Sequence, residues 1–301
     1  MNAEPDSAAA SVAPLQPASR VIVTSKGPLE YSEAGSGPPI LYFHGTGAPG
    51  NLVFDFERPL LEAGFRLIVP NRPGYGKTPL SGNRSAAACA DLAAELLSAL
   101  SIDRACVMGC SGGGPFATAF AVRHGARTAC LVLACAQVHR LDEPRWLGSA
   151  SRWTFPFLAN PSVRRWMFWM YRWQLSMTSP ASFLKFESGP RYPDVQADPR
   201  ANELAGLALT SIRNCLVQGD GFANDFAVYL GEDVLEPGAF LGPTLLVHDP
   251  LDPVAPIDHF QWVANCIPHA EQCLVSVGGH FVWVGKESAE MNRRRVLFCG
   301  N

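Results

Sequence analysis

Val107-Met108-Gly109-Cys110-Ser111-Gly112-Gly113-Gly114-Pro115-Phe116 is the stretch whose reading decides the fold. Ala105 to Met108 is an apolar run with the pattern of a short buried strand, and Phe116 to Val122 is an alanine-rich segment of helical composition. Between them a turn of small residues carries Ser111 at its apex, with Gly109 and Gly113 two residues to either side. Strand, sharp turn and helix around G-x-S-x-G make a nucleophile elbow. A serine on so tight a turn sits in strained backbone, and a side chain at Gly109 or Gly113 would collide with neighbouring chain. The turn sets the hydroxyl at a helix N-terminus, where the Gly112 N–H and the helix dipole can stabilise a developing oxyanion. A glycine-rich turn whose serine merely caps the helix would carry the same five residues, so the rest of the chain must decide.

Upstream, Val21–Thr24 and Leu29–Ala34 read as two short strands joined by a turn at Lys26-Gly27-Pro28. Pro39–Phe43 is an apolar strand emptying into His44-Gly45-Thr46-Gly47, and Arg66–Pro70 is another, emptying into Asn71-Arg72-Pro73-Gly74-Tyr75-Gly76-Lys77-Thr78. Helices are expected at about Leu52–Ala63 and Ser85–Leu100. Downstream of the elbow, Ala129–Cys135 is a further strand. The alternation then stops from about Val138 to Leu235, a stretch of helical and loop character rich in Trp, Phe and Met. It resumes with strand Thr244–His248, a helix around His259–Asn265, strand Gln272–Val277 and a last helix after Phe281. Strands that are apolar throughout and alternate with helices imply a parallel sheet covered on both faces, hence an α/β fold. The organisation expected is a flexible tail over residues 1–20, an α/β core over 21–137 and 236–301, and a helical cap over 138–235.

A serine hydroxyl needs a base within hydrogen-bond reach and a carboxylate to hold that base in one tautomer. Of the 7 histidines, His280 follows strand Gln272–Val277 directly, in Gly278-Gly279-His280-Phe281. Asp252 follows strand Thr244–His248, and residues just past the C-terminal ends of parallel strands share one rim of the sheet. Ser111, Asp252, His280 is the chain order expected of this elbow. Asp249, closer to its strand, is the nearest rival for the acid, and Asp142 a weaker one. The proline-flanked Pro253–Pro256 segment suits a rigid loop that fixes the Asp252 carboxylate. Small residues in His44–Gly47 let backbone N–H groups approach a substrate oxygen, so the Thr46 and Gly112 amides are the candidate oxyanion hole.

The 301 residues are 48% hydrophobic and 17% charged, ample for a buried core. A net charge of −3 gives no support to nucleic-acid binding, and Arg164-Arg165 and Arg293-Arg294-Arg295 read as solvated clusters. The 9 cysteines show no metal-ligand spacing and read as reduced thiols of a cytoplasmic protein. Residues 1–20 lack the regions of a signal peptide, and no uncharged apolar run is long enough for stable membrane insertion. No cofactor or metal is expected.

His44-Gly45-Thr46-Gly47, Arg72-Pro73-Gly74-Tyr75-Gly76, Gly109–Gly113, Asp252 and Gly279-His280 together resemble the α/β-hydrolase superfamily, in its capped branch, over about Val21 to Gly285. The resemblance implies an eight-stranded, mostly parallel sheet flanked by helices, with a helical cap inserted after the sixth strand as a lid. It departs at Asn71, where many relatives carry an aspartate that braces the Arg72 loop, and in the extra small residues after His44. The density of Trp146, Trp153, Trp166, Trp169 and Trp173, with Met167, Met170 and Met177, suggests an apolar pocket roof or packing of the lid onto the core. The expected activity is a serine hydrolase acting on a small hydrophobic ester, thioester or lactone. Carbon–carbon hydrolysis or lyase chemistry with the same triad, and a non-catalytic ligand receptor, are the alternatives. An aspartate in place of Ser111 would be expected of epoxide hydrolases and dehalogenases on this scaffold.

Overall fold

The computed structural model describes Leu15 and residues 17–138, 160–231 and 235–300. Most of the tail, Asp142, Trp146 and Trp153 lie outside the described residues. Eight strands form one sheet: β1 (Ser19–Thr24), β2 (Gly27–Ala34), β3 (Pro39–Phe43), β4 (Arg66–Pro70), β5 (Ala105–Cys110), β6 (Thr128–Ala134), β7 (Thr244–His248) and β8 (Glu271–Leu274). Their order is β1-β2-β4-β3-β5-β6-β7-β8. Pairing is parallel from β4 to β8, while β1 and β2 form an antiparallel hairpin on the β4 edge.

The central strands are apolar at every position because both faces are covered. Leu41 and Phe43 of β3 join one core cluster while Ile40 and Tyr42 join the other, as a two-residue period requires. Helices α3 (Ala86–Ala99) and α4 (Gly114–Arg123) cover the first face. Helices α1 (Asn51–Phe56) and α2 (Arg58–Glu62) contribute Val53, Phe54 and Leu60 to the second, with Met291 from the C-terminal helix α11 (Ser288–Gly300). The single helix expected over Leu52–Ala63 is therefore two, separated at Glu57, where Pro59 starts the second. Strand β8 ends at Leu274, three residues short of the expected Val277.

Among the described residues between β6 and β7 there are helices and no strand: α5 (Pro161–Ser176), α6 (Pro180–Ser188), α7 (Tyr192–Val195), α8 (Pro199–Gln218) and α9 (Asp220–Leu230). Three start from the same local signal, a capping side chain followed by proline. Asn160, Ser179 and Asp198 accept hydrogen bonds from the amides of Ser162, Ser182 and Arg200, ahead of Pro161, Pro180 and Pro199. Helix α8 ends where Gly219 takes a left-handed conformation (φ 73°) and turns the chain into α9.

Two expectations need correcting here. Trp166, Trp169 and Trp173 are neither roof nor packing: they are 58%, 63% and 60% exposed, on the outward face of α5 with Met170 and Met177. Amphipathic spacing sets one apolar face, but not which way it turns. Arg295 is not solvated like Arg293 and Arg294; it is fully buried beneath the sheet and paired with Glu57 at 2.8 Å. Glu57 also accepts hydrogen bonds from the Tyr42 hydroxyl and the Trp283 indole, both at 2.9 Å, so the buried charges are compensated as burial demands.

A second buried ion pair ties the helical insertion to the core. The Arg72 guanidinium, in the loop after β4, makes two parallel bonds to the Asp225 carboxylate of α9, and both side chains are 1% exposed. Tyr75 and Thr46 add hydroxyl donors to the same carboxylate, at 2.6 and 3.0 Å. Asn71 links β2 to the loop after β3, donating to Glu30 at 2.8 Å and accepting from the Gly50 amide at 2.8 Å. An aspartate here could accept from Gly50 in the same way but could not donate to the Glu30 carboxylate, which the Asn71 amide does.

Candidate active site

Ser111 stands directly after β5 with φ +50°, one of few non-glycine residues in the left-handed region. The geometry that allows it is steric. A Cβ at Gly113 would lie 2.0 Å from the Phe43 carbonyl oxygen, and one at Gly109 would lie 2.6 Å from the Ala117 Cβ. The turn closes only because neither glycine has a side chain.

The three separated residues meet. His280 Nε2 is 2.9 Å from Ser111 Oγ, and His280 Nδ1 is 2.8 Å from Asp252 Oδ2. Asp252 is fully enclosed, and its other oxygen accepts the Val254 and Ala255 amides at 2.8 and 2.9 Å, so the proline-bounded loop fixes the carboxylate. Asp249 points elsewhere. It accepts the amides of Leu251, Val277 and Gly279 and pairs with Arg191 at 3.1 Å, bracing the loop that carries His280. Its strand-end position resembles that of Asp252, but its carboxylate is taken up by backbone amides and Arg191 rather than by His280. The His280 loop is held from the other side by α6, whose last turn presents the Glu187 carbonyl to the His280 N–H at 3.0 Å.

Burial alone would push His280 down. The Asp252 charge and hydrogen bond, with the charge of Glu187, outweigh it and carry the imidazole up to about 9. Deprotonated at Nε2, the ring accepts from the Ser111 hydroxyl; protonated, it is stabilised between carboxylates. His44 behaves oppositely. It is fully buried, its Nδ1 faces the Gly45 carbonyl at 2.8 Å and its Nε2 accepts the Arg72 amide at 3.1 Å, which fixes one neutral tautomer. Burial, then the Arg72 charge, hold it well below the usual histidine range, so it acts as a spacer between two loops.

Thr46 and Gly112 are neighbours: a Cβ on Gly112 would lie 2.3 Å from Thr46 Oγ1, and one on Gly45 would lie 3.3 Å from the Ser111 Cβ. The Thr46 hydroxyl bonds to Asp225 and, at 2.6 Å, to the Tyr229 hydroxyl. The Gly47 amide donates to Tyr75 and the Ala48 amide to Gly45, which leaves the Thr46 N–H as the loop's candidate donor.

Ser111 and His280 open into a cavity of about 180 Å³, room for roughly a dozen water-sized groups. Its walls are largely aromatic, among them Tyr171, Phe183 and Phe186 from α5 and α6, Phe222 and Phe226 from α9, and Phe281 beside the histidine. Among the described residues no lysine or arginine lines it, and the one acid is Glu187. None of Trp166, Trp169 and Trp173 reaches it. Among the described residues, two groups have ligating atoms close enough to share a metal ion: Cys135 with Asp252 and His280, and Cys106 with Cys130 and Cys299. The first is committed to the Ser111 hydrogen-bond chain. The second lies toward the opposite end of β5 from Ser111, and all 9 cysteines are free thiols.

The sequence profile of the alpha/beta hydrolase fold family matches residues 38–286. The chain belongs to the α/β-hydrolase family. It is 28% identical over 267 residues to an uncharacterized hydrolase of Bacillus subtilis (strain 168), covering 88% of this chain and 92% of that one. It is 27% identical over 280 residues to a 2-hydroxy-6-oxononadienedioate/2-hydroxy-6-oxononatrienedioate hydrolase of Paraburkholderia xenovorans (strain LB400), covering 89% of each. Among solved structures, an alpha/beta hydrolase fold protein from Nakamurella multipartita superposes with a TM-score of 0.74 at 26% identity, covering 94% of this chain and 99% of that one. This α/β hydrolase is therefore matched along its core and its helical insertion alike.

Glu187, Asp225 and the Glu57–Arg295 pair escaped the sequence reading. No motif surrounds any of these acids, and the partner of Asp225 is 153 residues distant.

Proposed function

We propose that this α/β hydrolase cleaves a small carboxylic ester, thioester or lactone through an acyl-enzyme on Ser111. The observation that carries this reading is the continuous hydrogen-bond chain Ser111–His280–Asp252, opening into a partly open, mainly apolar cavity. Ser111 Oγ attacks the carbonyl carbon while His280 Nε2 takes its proton. Asp252 holds the imidazole with Nδ1–H toward itself and stabilises the imidazolium. The tetrahedral oxyanion is held by the Gly112 and Thr46 N–H groups, aided by the N-terminus of α4. His280 then protonates the leaving alcohol or thiol. Water, deprotonated by the same nitrogen, attacks the acyl carbon and returns Ser111 to its hydroxyl form. The helices above the cavity act as the lid that selects the acyl and leaving groups.

The hydroxy-oxo-dioate hydrolase relative favours a second reading. Such a compound has no ester bond, and hydrolysing it breaks a carbon–carbon bond. A dianion needs cations to leave water, and no lysine or arginine among the described residues lines this cavity. A dicarboxylate substrate is thus disfavoured, and a carbon–carbon substrate here would be a neutral diketone. Turnover of short aryl esters by the wild type, lost by at least about 10³-fold in both Ser111→Ala and His280→Ala, supports the ester reading. Turnover of a neutral 1,3-diketone with no ester hydrolysis would replace it with the second. Tight ligand binding with neither activity would leave a receptor.

A further inference from the structure

Seven acidic side chains are buried among the described residues, and six have partners. Asp225 holds Arg72, Glu57 holds Arg295, Asp249 and Asp252 hold backbone amides and a cation or His280, Asp55 pairs with Arg58, and Glu30 accepts from Asn71 and Ser19. Glu187 is the exception. It is 9% exposed, lines the cavity beside His280, and its carboxyl makes no hydrogen bond or ion pair with a described residue. A carboxyl that faces a largely aromatic cavity without a hydrogen-bond partner from the described residues is a group that a ligand can satisfy. The catalytic cycle above gives Glu187 no atom to hold.

The surroundings indicate what that partner is. Among the described residues no lysine or arginine lines the cavity, and the one group there that can become a cation beside the carboxylate, His280, is neutral whenever it accepts the serine proton. Tyr171, Phe183, Phe222, Phe226 and Phe281 offer ring faces and edges around the same space. A carboxylate within aromatic walls is the chemistry that recognises an alkylammonium group, by one charge-assisted hydrogen bond and cation–π contact. A hydroxyl could donate to Glu187 but would leave its charge uncompensated.

We propose that Glu187 is a specificity residue that binds a protonated amine on the substrate, so that the preferred substrates are amine-bearing esters rather than purely hydrocarbon ones. The proposal rests on the ester-hydrolase reading for its substrate class, but the amine site stands on Glu187 alone. The empty site is poised for it. Burial, opposed by His280 and reinforced by Asp252, pushes the Glu187 carboxyl up to about 7, so a bound cation draws it fully into the ionised form.

The test compares p-nitrophenyl esters of dimethylaminobutyrate and of its carbon isostere, methylhexanoate, with wild type and Glu187→Gln near neutral pH. The wild type is expected to favour the ammonium ester by about 10- to 100-fold in kcat/KM, mostly through KM, and Glu187→Gln to bring that ratio to about one. A wild-type ratio near one, or a ratio that Glu187→Gln leaves intact, overturns the proposal. Calorimetric titration of dimethylphenethylamine into Ser111→Ala, and into Ser111→Ala with Glu187→Gln, reads the site without catalysis. Should neither ester turn over while the amine still binds in a Glu187-dependent way, the ester reading fails and the amine site stands; absent binding overturns the site. Glu187→Gln is expected to melt at or above the wild-type temperature, since it removes an unpartnered charge, which separates lost recognition from lost folding.

Discussion

Replacing Asp225 by asparagine removes one charge and almost no volume, and it isolates what the buried pair with Arg72 contributes. Both side chains are 1% exposed, and the carboxylate gathers two guanidinium nitrogens and two hydroxyls. In Asp225→Asn the guanidinium stays enclosed against His44, Tyr75 and Phe116 with no counter-charge. Removing one partner of such a pair costs about 3–5 kcal/mol. For a chain of this size that is a fall in Tm of roughly 6–15 °C, at about 2–3 °C per kcal/mol. Activity should fall further than stability explains, because the Thr46 hydroxyl that donates to this carboxylate also bonds the Tyr229 hydroxyl, which in turn donates to the Gly112 carbonyl. Thermal melts and urea titrations of Asp225→Asn, Arg72→Met and the double variant Arg72→Met/Asp225→Leu measure this directly. The double variant should recover most of the stability lost in either single one, since it leaves no charge stranded. A Tm within about 2 °C of wild type for Asp225→Asn, or a double variant as unstable as the sum of the singles, would refute the reasoning.

Three further outcomes follow from the same structure. The enzyme needs His280 neutral, so kcat/KM should climb with pH through about 9; Glu187→Gln, by removing one of the negative charges that raise the imidazole, should move that limb to lower pH, with Asp252, Cys110 and His248 the other groups that interact with the ring. A Glu187→Gln profile shifted upward would contradict the assignment. Gly113→Ala forces a Cβ to within 2.0 Å of the Phe43 carbonyl oxygen and should yield insoluble or unfolded protein on expression, whereas soluble, active protein would show that the elbow can relax. Trp169→Gln, on the outward face of α5, should change unfolding free energy by no more than about 0.5 kcal/mol and leave ester turnover intact, as denaturant titration and steady-state rates would show.

Much of this was written in local pattern. The apolar strands announce themselves because both faces of the sheet are covered, and the elbow does so because its glycines are required by contacts under 3 Å. The proline-capped starts of α5, α6 and α8 are equally local. Strand ends sharing one rim brought Ser111, Asp252 and His280 together from three distant segments. What stayed hidden was pairing across the fold. Asp249 and Asp252 sit in the same loop, and only the direction of each carboxylate separates a brace from a triad acid. The tryptophans of α5 advertised an apolar face, yet the aromatic walls of the cavity come instead from Phe183, Phe222, Phe226 and their neighbours. Glu187 looked like any polar position near a helix end, because an unpaired buried acid is defined by what surrounds it in space.

The most direct measurement is labelling with a fluorophosphonate, followed by mass mapping of the modified peptide in wild type, Ser111→Ala and His280→Ala. The account predicts one phosphonylated residue, Ser111, with no labelling in Ser111→Ala and a rate reduced by orders of magnitude in His280→Ala. Modification of another residue, or a wild type that stays unlabelled although folded, would contradict an activated serine at the end of β5.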